Sequence, residues 1–136
     1  MKKDLQRAKD LMTKEVIYVK KDASVFEAME LMTNNNIAGL PVVEDDMTLV
    51  GIVTEKDLLK LFYECERAQN CVVGDFMTYT VIYFDENDSL LDICDCLIVN
   101  DFRRVPVTSN GKVVGIISRP DVIQSILKTK KVPQKT

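Results

Sequence analysis

Two hydroxyl–carboxylate pairs recur in this 136-residue chain, Thr54 with Asp57 and Ser118 with Asp121. Each closes the pattern G-h-h-[T/S]-x-x-D, where h is apolar, at residues 51–57 and again at 115–121. An apolar run precedes each pair and a helical pattern follows it, which places both where a strand gives way to a helix. Two chemistries fit such a junction. In one, the hydroxyl caps the helix and the acid three residues on bonds back to the cap, satisfying free backbone N–H groups. In the other, the carboxylate accepts two hydrogen bonds from a ribose diol, and the helix's free N–H groups meet phosphate oxygens. Two features weigh toward the second. An aspartate is a short side chain for reaching back to a cap, where glutamate is usual, and the same acid recurs in both copies.

Little else in the chain is equipped for chemistry. There is no histidine, no G-x-S-x-G and no Walker-type loop, so the commonest general base and the usual nucleophile and phosphate-cradling motifs are missing. No catalytic residue is expected, and the chain reads as a non-enzyme. Cys65, Cys71, Cys94 and Cys96 are spaced C-x5-C and C-x-C. Structural zinc sites use paired C-x2-C instead, so reduced thiols and no metal are expected. The net charge of −3 leaves no broad basic surface for nucleic acid. The basic tail at 129–136 reads as a frayed terminus. No apolar run approaches the roughly 20 residues of a membrane span. The sequence Met1-Lys2-Lys3-Asp4-Leu5-Gln6-Arg7-Ala8-Lys9 is no signal-peptide core. The expected location is the cytoplasm.

The elements that must position the two pairs come from an internal duplication. Shifted by 65 residues, Met12-Thr13-Lys14-Glu15-Val16-Ile17-Tyr18 lies over Met77-Thr78-Tyr79-Thr80-Val81-Ile82-Tyr83. Leu40-Pro41-Val42 likewise lies over Val105-Pro106-Val107. One residue is dropped in the second turn, after which the two G-h-h-[T/S]-x-x-D motifs align. The first repeat occupies 5–66 with a leading helix at 5–12, a linker 67–73 follows, and the second repeat occupies 74–128. Each repeat reads strand, helix, strand, strand, helix. Residues 16–18 form a short opening strand, and Ser24 with Glu27 makes a capping box. Val25, Ala28, Met29 and Met32 give one apolar helix face, matched by Leu90, Ile93, Cys94 and Leu97. Strands follow at 40–44, 49–53 and 112–117, and the closing helices at 55–66 and 119–127. Tyr18, Tyr83, Phe84 and Phe102 fall where aromatic residues are usually core. One such repeat cannot cover its own sheet. Two of them pack about a pseudo-twofold axis, leaving paired clefts in which a ligand would bind.

With the motifs and the duplication in view, the chain resembles a tandem pair of CBS domains, often called a Bateman module, over residues 5–127. The opening D-h-M-T, the central h-P-V strand and the doubled G-h-h-[T/S]-x-x-D carry the resemblance together. It implies an α+β fold of two β-α-β-β-α repeats. It implies that Thr54, Asp57, Ser118 and Asp121 contact ribose and phosphate, and that Val16, Ile17, Val81 and Ile82 hold an adenine. Ahead of the h-P-V strand containing Pro106, the second copy has Arg103 and Arg104, and Arg119 follows its cap. The family often meets phosphates with such basic residues; a solvated or salt-bridged pair is the alternative. The first copy has Ile37-Ala38-Gly39 there, with only Lys56 nearby, so two clefts of unequal affinity are expected. The implied ligand is AMP, ADP or ATP, with S-adenosylmethionine, NAD or a cyclic dinucleotide less often, and no cofactor. The resemblance also implies a homodimer that reports to an effector protein in trans. The competing reading is an adaptor whose clefts bind nothing.

Overall fold

The computed structural model describes residues 6–64, 70–79, 82–100 and 103–129. Expectations at Leu5, Cys65, Glu66, the linker residues 67–69, Val81, Phe102 and the tail beyond 129 lie outside the described residues. The elements run α1 (Ala8–Leu11), β1 (Val19–Lys20), α2 (Val25–Asn35), β2 (Gly39–Val43), β3 (Leu49–Thr54), α3 (Glu55–Leu59) and α4 (Leu61–Glu64). After a 3-10 turn at Val73–Asp75 come β4 (Phe84–Asp85), α5 (Leu90–Val99), β5 (Arg104–Ser109), β6 (Lys112–Ser118) and α6 (Arg119–Thr129). The fold is α+β, with two three-stranded sheets. Two compact units divide the chain. The Thr54 unit comprises Ile17–Val81 and Gly111–Val113, and the Ser118 unit comprises Met1–Val16, Ile82–Asn110 and Val114–Thr136.

In the Thr54 unit, β2 lies between β1, which it pairs in parallel with Val19 opposite Val42, and β3, which it pairs antiparallel with Leu40 opposite Val53. The opening strand starts at Val19 rather than at 16–18. Val19 is buried and packs in the sheet, whereas Tyr18 is 38% exposed. Ser24 caps α2 by accepting the Phe26 N–H at 3.0 Å. The return bond from Glu27 that would complete a capping box is not among the described hydrogen bonds. Val25, Ala28 and Met32 of α2 cluster with Val19, Leu40, Val42 and Val53, and each large side chain so buried contributes about 1.5–3 kcal/mol. The helix expected at 55–66 is broken at Lys60. Lys60 N–H bonds to the Asp57 carbonyl and Tyr63 N–H to the Lys60 carbonyl, and these i→i−3 bonds interrupt the α-helical ladder. Part of the expected linker is core. Val73 is fully buried, and Val72 pairs with Ser24. Cys71 is disulfide-bonded, so spacing that speaks against zinc does not settle the redox state of a thiol. Cys94 and Cys96 are half-buried.

In the Ser118 unit, β5 lies between β4 and β6, and β4 runs parallel to β5 with Phe84 opposite Val107. Ser89 caps α5 by accepting the Asp92 N–H at 3.3 Å. Leu90, Ile93 and Leu97 of α5 and Val122 of α6 cluster with Val105, Val107 and Ile117. The leading helix is the single turn α1. Its Ala8 is fully buried in this unit's core, with its N–H on the Asp88 carbonyl at 2.8 Å.

Sequence repeat and compact unit therefore differ. The opening residues of the first repeat, up to Val16, complete the unit built on the second, and residues 70–79 complete the unit built on the first. The two motif glycines make room for this. The Met12 side chain occupies the space beside Gly115. A Cβ on Gly51 would stand 2.6 Å from the Thr78 carbonyl oxygen and 3.0 Å from Met77 Sδ. Gly51→Ala should therefore cost about 1–3 kcal/mol of stability, read as a lower urea midpoint; an unchanged midpoint would mean that the segment around Met77 shifts freely.

Candidate functional site

Both strand-to-helix junctions are closed by the same pair of bonds. Thr54 Oγ1 accepts the Asp57 N–H at 3.2 Å, and Asp57 Oδ2 accepts the Thr54 N–H at 2.9 Å. Ser118 and Asp121 repeat this at 3.2 and 2.9 Å. Aspartate thus does reach back to the cap, contrary to the expectation from its length. The extended backbone of Thr54, φ −121° and ψ 168°, leaves its N–H within reach of the first helical turn. Capping and ligand binding are nonetheless compatible. The cap occupies Oδ2 of each aspartate, and Oδ1 has no partner among the described residues. Each carboxylate keeps one acceptor oxygen, and both aspartates are half-buried.

What surrounds the two junctions differs sharply in charge. Arg119 N–H bonds to the Arg103 carbonyl at 3.1 Å, and Glu55 N–H bonds to the Ala38 carbonyl at 2.9 Å. These matching bonds make Arg103 the counterpart of Ala38 and Arg119 the counterpart of Glu55. Arg103, Arg104 and Arg119 are all exposed. Among the described residues no ion pair joins Arg103 or Arg104 to an acid, and the Arg119 guanidinium lies 3.5 Å from the Asn100 carbonyl oxygen. The start of α6, positive through its own dipole, thus carries Arg119 and has the Arg103 backbone bonded to it, residue types suited to an anion. The start of α3 carries Glu55 instead. Sequence reading noted the missing arginine pair but overlooked this reversal, which a direct alignment of Glu55 with Arg119 reveals.

The other expected site residues divide between the units. Val16, Ile82 and Pro106 belong with Ser118 and Asp121, and Ile17 belongs with Thr54 and Asp57. Val16 and Ile17 are half-buried, and Ile82 is 41% exposed. Pro106 is fully buried in β5 and packs in the sheet. Tyr18 and Tyr83 are exposed, not core, and Phe84 is half-buried. One residue was missed. Thr13 Oγ1 donates to Asp121 Oδ2 at 3.5 Å, and its place in the opening D-h-M-T motif was the signal that could have found it.

Two capped junctions carried on two β-α-β-β-α repeats define a tandem pair of CBS domains. The CBS domain model matches residues 8–64 and 73–128, and the chain belongs to this family. It is 33% identical to the CBS domain-containing protein CBSX2, chloroplastic, of Arabidopsis thaliana, over 83% of this chain and 59% of that protein. A crystal structure of CBSX2 in complex with AMP matches with a TM-score of 0.81 at 35% identity, covering 91% of this chain and 98% of that one. An uncharacterized protein of Methanocaldococcus jannaschii is 34% identical over 85% of this chain and 41% of its own length. The chain thus spans 41–64% of the first curated relatives it matches. A CBS domain pair crystallised with 5-methylthioadenosine and S-adenosyl-L-methionine matches with a TM-score of 0.74 at 26% identity, over 92% of this chain and 98% of that one. Among the described residues, no helix is long and apolar enough to cross a membrane, and no group of three or more His, Cys, Asp or Glu could hold a metal ion.

Removing either cap hydroxyl should weaken its unit. Thr54→Ala and Ser118→Ala are each expected to lower stability by about 0.5–2 kcal/mol in urea titration; no loss in either would mean that packing alone holds the helix starts.

Proposed function

We propose that this chain is a regulatory module that binds an adenosine nucleotide, AMP, ADP or ATP, without catalysing a reaction, and reports its occupancy to a separate protein. The observation that carries this reading is the start of α6. There one carboxylate oxygen of Asp121 remains an acceptor, Arg119 opens the helix, and Arg103, with Arg104 next to it in sequence, is bonded through its backbone to that helix start. A ribose diol suits the first and phosphate suits the second. Exposed Ile82 and half-buried Val16 offer apolar surface to an adenine. CBSX2 with AMP and the pair holding 5-methylthioadenosine and S-adenosyl-L-methionine share an adenosyl group, which supports the same group here. The arginines favour a phosphate over a sulfonium.

The chain reads further as a cytoplasmic homodimer. Leu59, Tyr63, Ile98, Ile123 and Leu127 are 58–88% exposed on helices, and apolar surface of this kind favours a protein partner. Nucleotide would then act through different affinities for two arrangements of that dimer. For the Thr54 unit a purely structural role is the better reading, because Glu55 and Ala38 stand where the arginines would.

Calorimetric titration of nucleotide-free protein with AMP, ADP, ATP, S-adenosylmethionine and NAD tests this. One adenosine phosphate should bind at a single site, with Asp121→Ala weakening it roughly tenfold or more and Asp57→Ala leaving it unchanged. Two identical sites, or loss with Asp57→Ala alone, would overturn the assignment. Binding of none of the five would favour the adaptor.

A further inference from the structure

Asp121 differs from Asp57 in one respect that neither motif contains: a second donor on the oxygen that closes the cap. Thr13 and Ile116 form an antiparallel bridge, with Thr13 N–H on the Ile116 carbonyl at 2.8 Å and Ile116 N–H on the Thr13 carbonyl at 3.0 Å. Met12, next to it, is seated beside Gly115. This ladder fixes Thr13 two residues along β6 from Ser118, and there its hydroxyl donates to Asp121 Oδ2 at 3.5 Å. Thr78 makes the same ladder with Ile52, at 2.8 and 3.0 Å. Among the described hydrogen bonds, however, its hydroxyl makes none to Asp57.

We propose that Thr13 is a positioning residue of the nucleotide site, supplied from outside the repeat that carries the Ser118–Asp121 motif. The inference rests on the nucleotide reading of that site and adds a residue to it. Asp121 Oδ2 is held by two donors, the Ser118 N–H and the Thr13 hydroxyl. The Ser118 bond and the longer Thr13 contact restrict rotation of the carboxylate and leave Oδ1 for a ribose hydroxyl. A preset acceptor loses less conformational freedom on binding. Among the described hydrogen bonds, Asp57 Oδ2 accepts from the Thr54 N–H alone and so lacks this setting. The 6–16 segment is therefore part of the ligand site as well as of the core.

AMP is the probe, with 2′,3′-dideoxyadenosine monophosphate as the ligand that lacks the diol. Wild-type protein, Thr13→Val and Thr13→Ser are titrated calorimetrically and melted without ligand. Thr13→Val, which keeps the shape and the backbone ladder, should weaken AMP about three- to tenfold. It should leave affinity for the dideoxy compound unchanged, and Thr13→Ser should restore wild-type affinity. A role in folding alone would instead lower the melting temperature and touch both ligands equally, and that outcome overturns the proposal. Wild-type affinity for AMP in Thr13→Val overturns it alone and leaves the nucleotide reading intact. A wild-type protein that does not bind AMP takes down the nucleotide reading, and this inference with it.

Discussion

Where a strand turns directly into a helix, the first backbone N–H groups have no partner inside the helix, and this chain meets that requirement twice with the same short side chains. Thr54 with Asp57, and Ser118 with Asp121, exchange hydrogen bonds between side chain and backbone across three residues. The sheet before each junction and the helix after it depend on that closure for their angle. The same closure leaves a carboxylate oxygen over, at the positive end of a helix dipole. One oxygen of each carboxylate thus serves stability, and on the nucleotide reading proposed above the other is left for ligand chemistry. A cap needs no ligand to be kept, and the box at Asp57 is intact beside a helix start that carries Glu55 and Lys56 and no arginine.

A second constraint comes from the opening segments. Met12 beside Gly115, and Met77 against Gly51, place each D-h-M-T motif on a strand of the other sequence repeat. Only a residue without a Cβ lets backbone and sulfur approach so closely. The glycine and the methionine of the family pattern are therefore one contact read from its two sides, although they lie far apart along the chain. The exchange means that neither sequence repeat contains all of its own unit, and it carries a hydroxyl, that of Thr13, to the Asp121 carboxylate.

Charge then separates two sites whose backbones agree. Matching bonds from Arg119 to Arg103 and from Glu55 to Ala38 show equivalent positions holding opposite or absent charge. An anion near α6 would meet the helix dipole and guanidinium groups acting in the same sense. Near α3 it would meet Glu55, which opposes the dipole. Duplication supplied two helix starts of one geometry, and a handful of surface side chains give them different charge.

The duplication, the order of elements and the position of both caps were legible in the sequence, because hydrophobic periodicity and helix capping act over three or four residues. Val25, Ala28, Met32, Leu90, Ile93 and Leu97 were identified as core on that basis and are buried. The family, too, was legible from its local motifs. What the sequence left open depends on residues distant in the chain. Strand pairing set the start of β1 at Val19 rather than at Val16, since only a partner such as Val42 defines the register. The break at Lys60, the burial of Val73 in a stretch that reads as linker, and the burial of Pro106 also follow from packing. That Asp121 both closes a cap and meets Thr13, 108 residues away, was decided by tertiary structure alone, because no local pattern records which strand an opening segment will join.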